Sequence, residues 1–516
     1  MRPPRFAARL RAERRASVRP TRNTRSILNA RTTSVLATAT MLAALIGHSA
    51  PASATDLLQL YSEAQGRDAL IASARSSYLA NIEALPQARA ALLPQVTARY
   101  GAVNTHYGSG NISNTFGSSG YSLALTQPIF HWDSWQSYQQ GKLTVASAEA
   151  AFAQAQQDLI LRVATAYFDV LAAQDDLALA GTHKQAIAEQ LASAKRNFEV
   201  GNATIVDSNE AQASFDQATA QEIAAQNTLD VRRAAFARIV GHPVGSLATL
   251  RAGSTLPSPE PNNVADWVTQ AEQANYGVQL QSLTLEIARR ETSKAKSGYM
   301  PSVDLVAAGA HSNVGNANSL LSSAMSSPSS QGTGPSSAGQ IGIQISIPIF
   351  SGGSVQSKMR QTLALEDKAQ SDLDDARRLA VLSARTSYLG VSSGLAQVKA
   401  LEAAEQSAQS SVASNKLGYQ VGIRINADVL NAEDKLFTTR RDLAKARYST
   451  LLSSLQLKAS AATLVDTDLQ LLNALLTENP DASAAMAGAR EAAPANAGTG
   501  LPARGVRPGT TAPLRR

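Results

Sequence analysis

At 516 residues, 44% of them hydrophobic but only 5% aromatic, the chain is long enough for several domains yet poor in the bulky groups of one large globular core. Its net charge of +7 is misleading. Ten of the 47 Lys and Arg lie in residues 1–54 against one acid, Glu13, so the rest carries 37 bases against 39 acids, a net of −2, and nothing basic remains to argue for nucleic acid. With no Cys, the chain has neither a disulfide nor a lipid-anchoring thiol.

The first expected element is an export signal over residues 1–54. An Arg-rich stretch runs to Arg31, the apolar run SVLATATMLAALIG follows at Ser34–Gly47, and APASA places Ala52 and Ala54 for cleavage before Thr55. The apolar run is shorter than the roughly 20 residues a transmembrane helix needs. No later segment is apolar enough for one.

The remainder is written twice. LLPQVTARYGA at Leu92–Ala102 is echoed by YMPSVDLVAAG at Tyr299–Gly309, and TQPIF at Thr126–Phe130 by SIPIF at Ser346–Phe350. NFEVGNATIVDSN at 197–209 is echoed by GYQVGIRINADVL at 418–430. Duplication on this scale predicts two equivalent halves, 55–240 and 266–465, joined by a linker at 241–265. Each half reads as a helix, a β-hairpin (about 95–130 and 302–350), then a long helical hairpin with its tip near 201 or 422. Residues 466–516 follow, and the part after about Pro480 is rich in Ala, Pro and Gly and reads as disordered.

Strands show by alternation. Tyr121, Leu123 and Leu125 alternate with Ser122, Ala124 and Thr126, and Ile341, Ile343, Ile345 and Ile347 alternate with Gly342, Gln344 and Ser346. The Gly-, Ser- and Asn-rich stretches 105–119 and 312–338 read as exposed loops between them. Strands of about ten residues cross a tilted bilayer. A transmembrane barrel needs about eight strands and leaves no lipid-exposed edge. Four strands per chain would therefore be completed by other copies, to eight in a dimer or twelve in a trimer. Two hairpins of a sheet outside any membrane is the other reading.

The helices are read from spacing. No Pro interrupts Asp133 to about Phe198, more than sixty residues or roughly 100 Å. Leu159, Val163, Ala166, Val170, Ala173, Leu177 and Ala180 step by four and three, as do Val429, Ala432, Leu436, Thr439, Leu443 and Ala446. Such spacing predicts coiled-coil packing, and the small seam residues permit close approach. Gly201 and Gly422 suit the positive φ that ends a helix, which makes each Val-Gly a hairpin tip. Trp132 and Trp135 mark either a membrane interface or the junction of strand and helix. No HExxH, P-loop, GxSxG or placed GxGxxG occurs, and the six His are scattered, so neither enzyme, metal nor cofactor is indicated.

These residues resemble the TolC family of outer-membrane export channels. The resemblance is carried by ATAYFDVLAAQDDL, FEVGNATIVD, SIPIFSGG, GYQVGIRINADVLNAED and LAKARYSTLLSSLQLKA, in that order, and covers nearly all of 55–475. It implies a mainly α fold with a small β part: long coiled-coil hairpins forming an α-barrel, plus four transmembrane strands per protomer and twelve in a homotrimer. The strands would sit in outer-membrane lipid of a Gram-negative bacterium and the helices would cross the periplasm. An equatorial belt is expected from 241–265 and from the segment after Leu464. Implied partners are a periplasmic adaptor and an inner-membrane transporter of RND, ABC or MFS type, serving a tripartite efflux pump or type I secretion.

The resemblance also assigns the tips. Tyr419 and Arg424 match residues that latch an inner helix pair, and Asp207 matches their carboxylate partner. Asp428 matches the first of two acids at the narrowest point, but the second is Asn431 here, so threefold symmetry gives three carboxylates rather than six. Val206 replaces a hydroxyl residue of the latch. Val200, Gly201, Asn202, Val421 and Gly422 are the expected adaptor-docking tips. Read without the resemblance, Asp428 is a solvated helix charge, and the long helices suit a non-conducting trimeric surface stalk or adhesin.

Overall fold

A computed structural model describes residues 55–109, 112–251, 253–314 and 334–477; the expected export signal and the tail lie outside these. Three short helices open the described residues, α1 (Leu57–Arg67), α2 (Ala69–Ile82) and α3 (Ala84–Ala90). Strands β1 (Gln95–Ser109) and β2 (Ile112–Phe130) lead into the helices α4 (Trp132–Glu199) and α5 (Ile205–Val240). After β3 (Thr249–Leu250) the order recurs: α6 (Val264–Ala274), α7 (Tyr276–Lys296), β4 (Ser302–Val314), β5 (Gly334–Ser346), α8 (Ser354–Gln420) and α9 (Asn426–Ser460). The helix α10 (Asp466–Asn473) and β6 (Leu476–Thr477) close it.

Helices α4 and α8 hold 68 and 67 residues without a Pro, each about 100 Å long. Their partners α5 and α9, of 36 and 35 residues, fold back along the half nearest the tips. The other half of α4 and of α8 packs on α7. The stepped seam positions of α9, Val429, Ala432, Leu436, Thr439, Leu443 and Ala446, are all buried, as coiled-coil spacing requires. None of the described helices is long and apolar enough to cross a membrane, a criterion that does not apply to strands.

The sheet is antiparallel in the order β1-β2-β4-β5. Its hairpins are longer than composition indicated. The β1–β2 ladder continues through Asn104↔Gly117 to Ser109↔Ile112, so most of 105–119 is strand rather than loop. The β4–β5 ladder likewise extends to Val314↔Gly334. Gly, Ser and Asn are weak strand formers, but ladder hydrogen bonds come from the backbone, and these residues prolong a pairing set by their apolar neighbours. In the opposite sense, β5 stops at Ser346, one residue short of Ile347. Pro348 follows, without an N–H for the ladder, whereas the equivalent Pro128 is carried within β2 beside a register shift.

Pleating and register place Val96, Tyr100, Tyr121, Leu123, Leu125, Ile341, Ile343 and Ile345 on one face. That face is open in the single chain, with Tyr100 76% and Ile341 78% exposed. Gln95, Thr97, Ser122, Thr126, Gln340 and Gln344 line the other face. Among the described residues, the outer edges of β1 and β5 are unpaired. Trp132 donates from Nε1 to Ser293 Oγ (3.2 Å) and so sits at the junction of strand and helix.

The main core lies midway along the helices. Tyr167, Phe168, Phe236 and Tyr448 interleave there, with Tyr167 edge-on to Phe168 and Phe236 and Phe168 stacked on Tyr448. Tyr167 Oη donates to Ala248 O (2.7 Å), which draws the post-α5 segment onto the core. Beside it β3 pairs with β6, so the chain after α5 and the chain after α9 meet.

At the hub's edge His242 Nε2 lies 2.5 Å from Glu63 Oε2, tying the end of α5 to α1. The hydrogen bond to Glu63 raises His242 above its ordinary value of 6.5, and the bond to His242 lowers Glu63 below 4.5. The His242 contribution is full below its unfolded pKa and is lost as pH rises through its folded value. The Glu63 contribution is present above its unfolded pKa and is lost as pH falls through its folded value. Both side chains are about a third exposed, so screening limits the pair to about 1 kcal/mol. His242→Gln is therefore expected to be less stable than wild type near pH 5.5 and equal to it near pH 8.5, by about that amount. Denaturant midpoints at the two pH values check this; an equal deficit at both would assign His242 a packing role only.

Candidate functional site

The two helical tips are built bond for bond alike. At the first, Gly201 takes φ +80°, its N–H donates to Phe198 O, and the N–H groups of Asn202 and Ala203 both donate to Asn197 O. At the second, Gly422 takes φ +78°, its N–H donates to Tyr419 O, and those of Ile423 and Arg424 both donate to Gly418 O. Only Gly enters this left-handed region without a Cβ penalty, so the repeated Gly of Val-Gly is a folding requirement before it is anything else. Val200 and Val421 stand out at the tips, 68% and 62% exposed, with Gly201, Asn202 and Gly422 beside them in solvent.

The copies diverge one turn later. Thr204 caps α5 in a capping box: Asp207 Oδ2 accepts from Thr204 N (2.9 Å) and Thr204 Oγ1 (2.8 Å). The equivalent N-cap of α9 is Ile425, which has no side chain to offer. Asp428 is thus freed from capping. Its Oδ2 instead lies 3.5 Å from Arg424 Nη1, an i,i+4 pair open to solvent. Arg424 lies down across Gly418, where an added Cβ would come within 2.7 Å of Arg424 Cγ.

Within one chain the residues assigned to the latch do not meet. Asp207 is engaged by its own cap, Tyr419 Oη accepts from Asn197 Nδ2 (3.2 Å), and Arg424 faces Asp428. Asp428 and Asn431 share one face of α9, three residues apart. Glu433 is drawn away to Lys416 (2.5 Å) and Asp434 to His183 (2.9 Å), so neither supplies the acid absent at Asn431. Val206 is exposed and offers no polar atom in its side chain.

Sequence reasoning missed the contact that joins the hairpins. Asn426, fully buried at 0% exposure, accepts from Gln190 Nε2 (2.5 Å) and donates from Nδ2 to Asp207 O (3.2 Å). One amide therefore links α9 to both α4 and α5. The available signal was the difference between copies, since Ile205 occupies the equivalent place in the first. The capping box was legible as Thr-x-x-Asp at 204–207. Around these ties Ile187, Leu191, Ala194, Ala211 and Leu430 form a small apolar cluster. Among the described residues no cluster of His, Asp and Glu is arranged to hold a metal ion.

Comparison with known proteins agrees with this architecture. Residues 60–242 and 263–463 match the family model for outer membrane efflux proteins. The chain is 31% identical over 438 residues to outer membrane protein TolC of Escherichia coli, covering 84% of this chain and 87% of that one. It is 30% identical to the alkaline protease secretion protein AprF of Pseudomonas aeruginosa, covering 75% and 80%. With the proteases secretion protein PrtF of Dickeya chrysanthemi it shares 29% identity, covering 86% and 95%. The fold matches the crystal structure of VceC from Vibrio cholerae with a TM-score of 0.66 at 18% identity, covering 79% and 96%. It matches the Campylobacter jejuni CmeC outer membrane channel with a TM-score of 0.68 at 14% identity, covering 88% and 97%. The duplicated helical hairpins, their paired tips and the four-stranded sheet are thus those of a member of the outer membrane efflux protein family, to which this chain belongs.

Proposed function

We propose that three copies of this chain close their sheets into one twelve-stranded barrel and their helices into a tunnel, gated at the Val-Gly tips. As a member of its family the chain is an outer-membrane exit duct. The observation that supports assembly with other copies is the sheet itself: an open apolar face and two unpaired edges, which lipid does not tolerate unless neighbouring copies pair them; the number three is what the family resemblance implies. The relatives named above are secretion and outer-membrane proteins, which gives the surface-stalk reading no support.

At the tips, Arg424 and Tyr419 of one hairpin close against Asp207 of a neighbouring hairpin. The capping box uses Asp207 Oδ2, which leaves Oδ1 for that bond. Docking of a periplasmic adaptor on Val200, Gly201, Asn202, Val421 and Gly422 supplies the energy that opens it, and an inner-membrane transporter of RND, ABC or MFS type loads the cargo. The relatives AprF and PrtF favour a type I secretion partner; the toluene efflux relative TtgC shows that efflux is within the family's range.

Three Asp428 carboxylates at the constriction make the duct cation-selective. The test is planar-bilayer recording of the purified full-length trimer. Wild type is expected to give cation-selective steps blocked weakly by a trivalent cation. Asn431→Asp, which doubles the carboxylates, is expected to be blocked at roughly tenfold lower concentration, since affinity for hard cations follows ligand charge. Folded trimer that passes no current in either form overturns the duct; equal block in both removes Asn431 from the constriction.

A further inference from the structure

We propose that Arg99 forms a ring of three positive charges in the lumen of the barrel, opposite in sign to the Asp428 ring at the tips, and that it biases the exit toward anions, small organic carboxylates in particular. The proposal rests on the trimeric duct described above.

Strands β1, β2, β4 and β5 contain two formally charged side chains between them, Arg99 and Asp304. They differ in circumstance. Asp304 sits at the helix end of the sheet, where its Oδ1 lies 3.0 Å from His131 Nε2. Arg99, the fifth of the fifteen residues of β1, is exposed and has no ion pair among the described residues. The hairpin segments 110–111 and 315–333 contain no Asp or Glu, so the strand tips supply no acid either.

Register decides which way Arg99 points. Its row across the sheet is Arg99, Ser122, Ala310, Ala338. The rows on either side are Ala98, Leu123, Gly309, Gly339 and Tyr100, Tyr121, His311, Ser337. Those two belong to the apolar face, with Tyr121 stacked on His311. Successive residues of a strand point to opposite faces, so Arg99 lies on the polar face with Thr97 and Gln95. In a membrane barrel the apolar face meets lipid and the polar face lines the lumen. An Arg on the lipid side of the apolar band would cost energy that this register avoids.

The row itself is small. Ser122, Ala310 and Ala338 leave a guanidinium unobstructed, with its donors free for a carboxylate, which it binds through two parallel N–H bonds. The duct would then attract cations where cargo enters and anions where it leaves. Three charges on the order of 10 Å from the axis, screened over a Debye length of about 10 Å, change local anion concentration about two- to threefold at 0.1 M salt.

The absence of native Cys makes a direct test possible. Reversal potentials are recorded in gradients of potassium chloride and potassium acetate, on trimers carrying Asp428→Asn so that the tip ring is silent. Against that parent, Arg99→Cys is expected to raise the cation-to-anion permeability ratio about two- to threefold. A cationic thiosulfonate reagent should reverse the change and an anionic one should deepen it. Tyr100→Cys, one residue on and facing lipid, should leave selectivity unmoved by either water-soluble reagent. Reversal potentials unchanged in Arg99→Cys, with labelling confirmed by mass, would remove Arg99 from the lumen while leaving the duct intact. Selectivity that responds to reagents at Tyr100→Cys instead would mean the faces are reversed, which also overturns the proposal. A folded Asp428→Asn trimer that never conducts would overturn the duct reading itself and this inference with it.

Discussion

Arg424→Ala is expected to enlarge the single-channel steps and shift the tips toward their open state by about 100-fold. The figure follows from symmetry. A partly exposed Arg–carboxylate pair contributes about 1 kcal/mol, and a threefold assembly holds three of them. About 3 kcal/mol acting on one closed-to-open equilibrium is roughly a 100-fold change in population. Among the described residues the Arg424 guanidinium has one polar partner, Asp428 at 3.5 Å, and its stem rests on Gly418, so little local stability is lost with the side chain. The substitution also uncovers Asp428, and cation selectivity should rise alongside conductance. Arg424→Lys keeps the charge without the planar fork and should fall between the two. Steps of unchanged size and open time in Arg424→Ala would leave the channel in place and take the latch away from Arg424.

The sequence made the tips visible because their demand is backbone-specific. A φ near +80° at Gly201 and Gly422 admits few residues, so both copies kept Val-Gly. The seam of α9 was visible for a similar reason, since burial at every third or fourth residue leaves a periodic trace. Asn426 left none. A polar residue at the start of a helix reads as a surface residue, and its burial is decided by Gln190 and Asp207, which are distant in sequence. Asp207 also has a use that is local in sequence. A carboxylate three residues after Thr204 has a local use as a cap, and within one chain the local use is what it shows. The strand ends are not legible in composition, because loop-like residues do not prevent a ladder that apolar neighbours have already registered.

The strongest expected effect on the chain's own structure comes from Asn426→Ala. Asn426 is fully buried and uses both ends of its amide, accepting from Gln190 and donating to Asp207 O. Truncation removes two hydrogen bonds and leaves a buried donor and a carbonyl unpaired, for about 3 kcal/mol in all. That loss falls on a region with little else to hold it. Between the hairpins near the tips the apolar packing is the small cluster around Ile187, Leu191 and Leu430, joined by the Asn197–Tyr419 and His183–Asp434 contacts, whereas the hub around Tyr167, Phe236 and Tyr448 is large and distant. Amide exchange in residues 418–432 is therefore expected to accelerate about 100-fold by local opening, with the hub's protection unchanged. Arg424→Ala should not produce this pattern, because the bond proposed for it joins neighbouring hairpins and its own-chain partner Asp428 is an exposed neighbour on the same hairpin. Exchange that rises equally at hub and tip would make Asn426 a general stability residue. A confined rise together with larger conductance would show that the inner hairpin must detach from its own chain, as well as from its neighbour, before the duct opens.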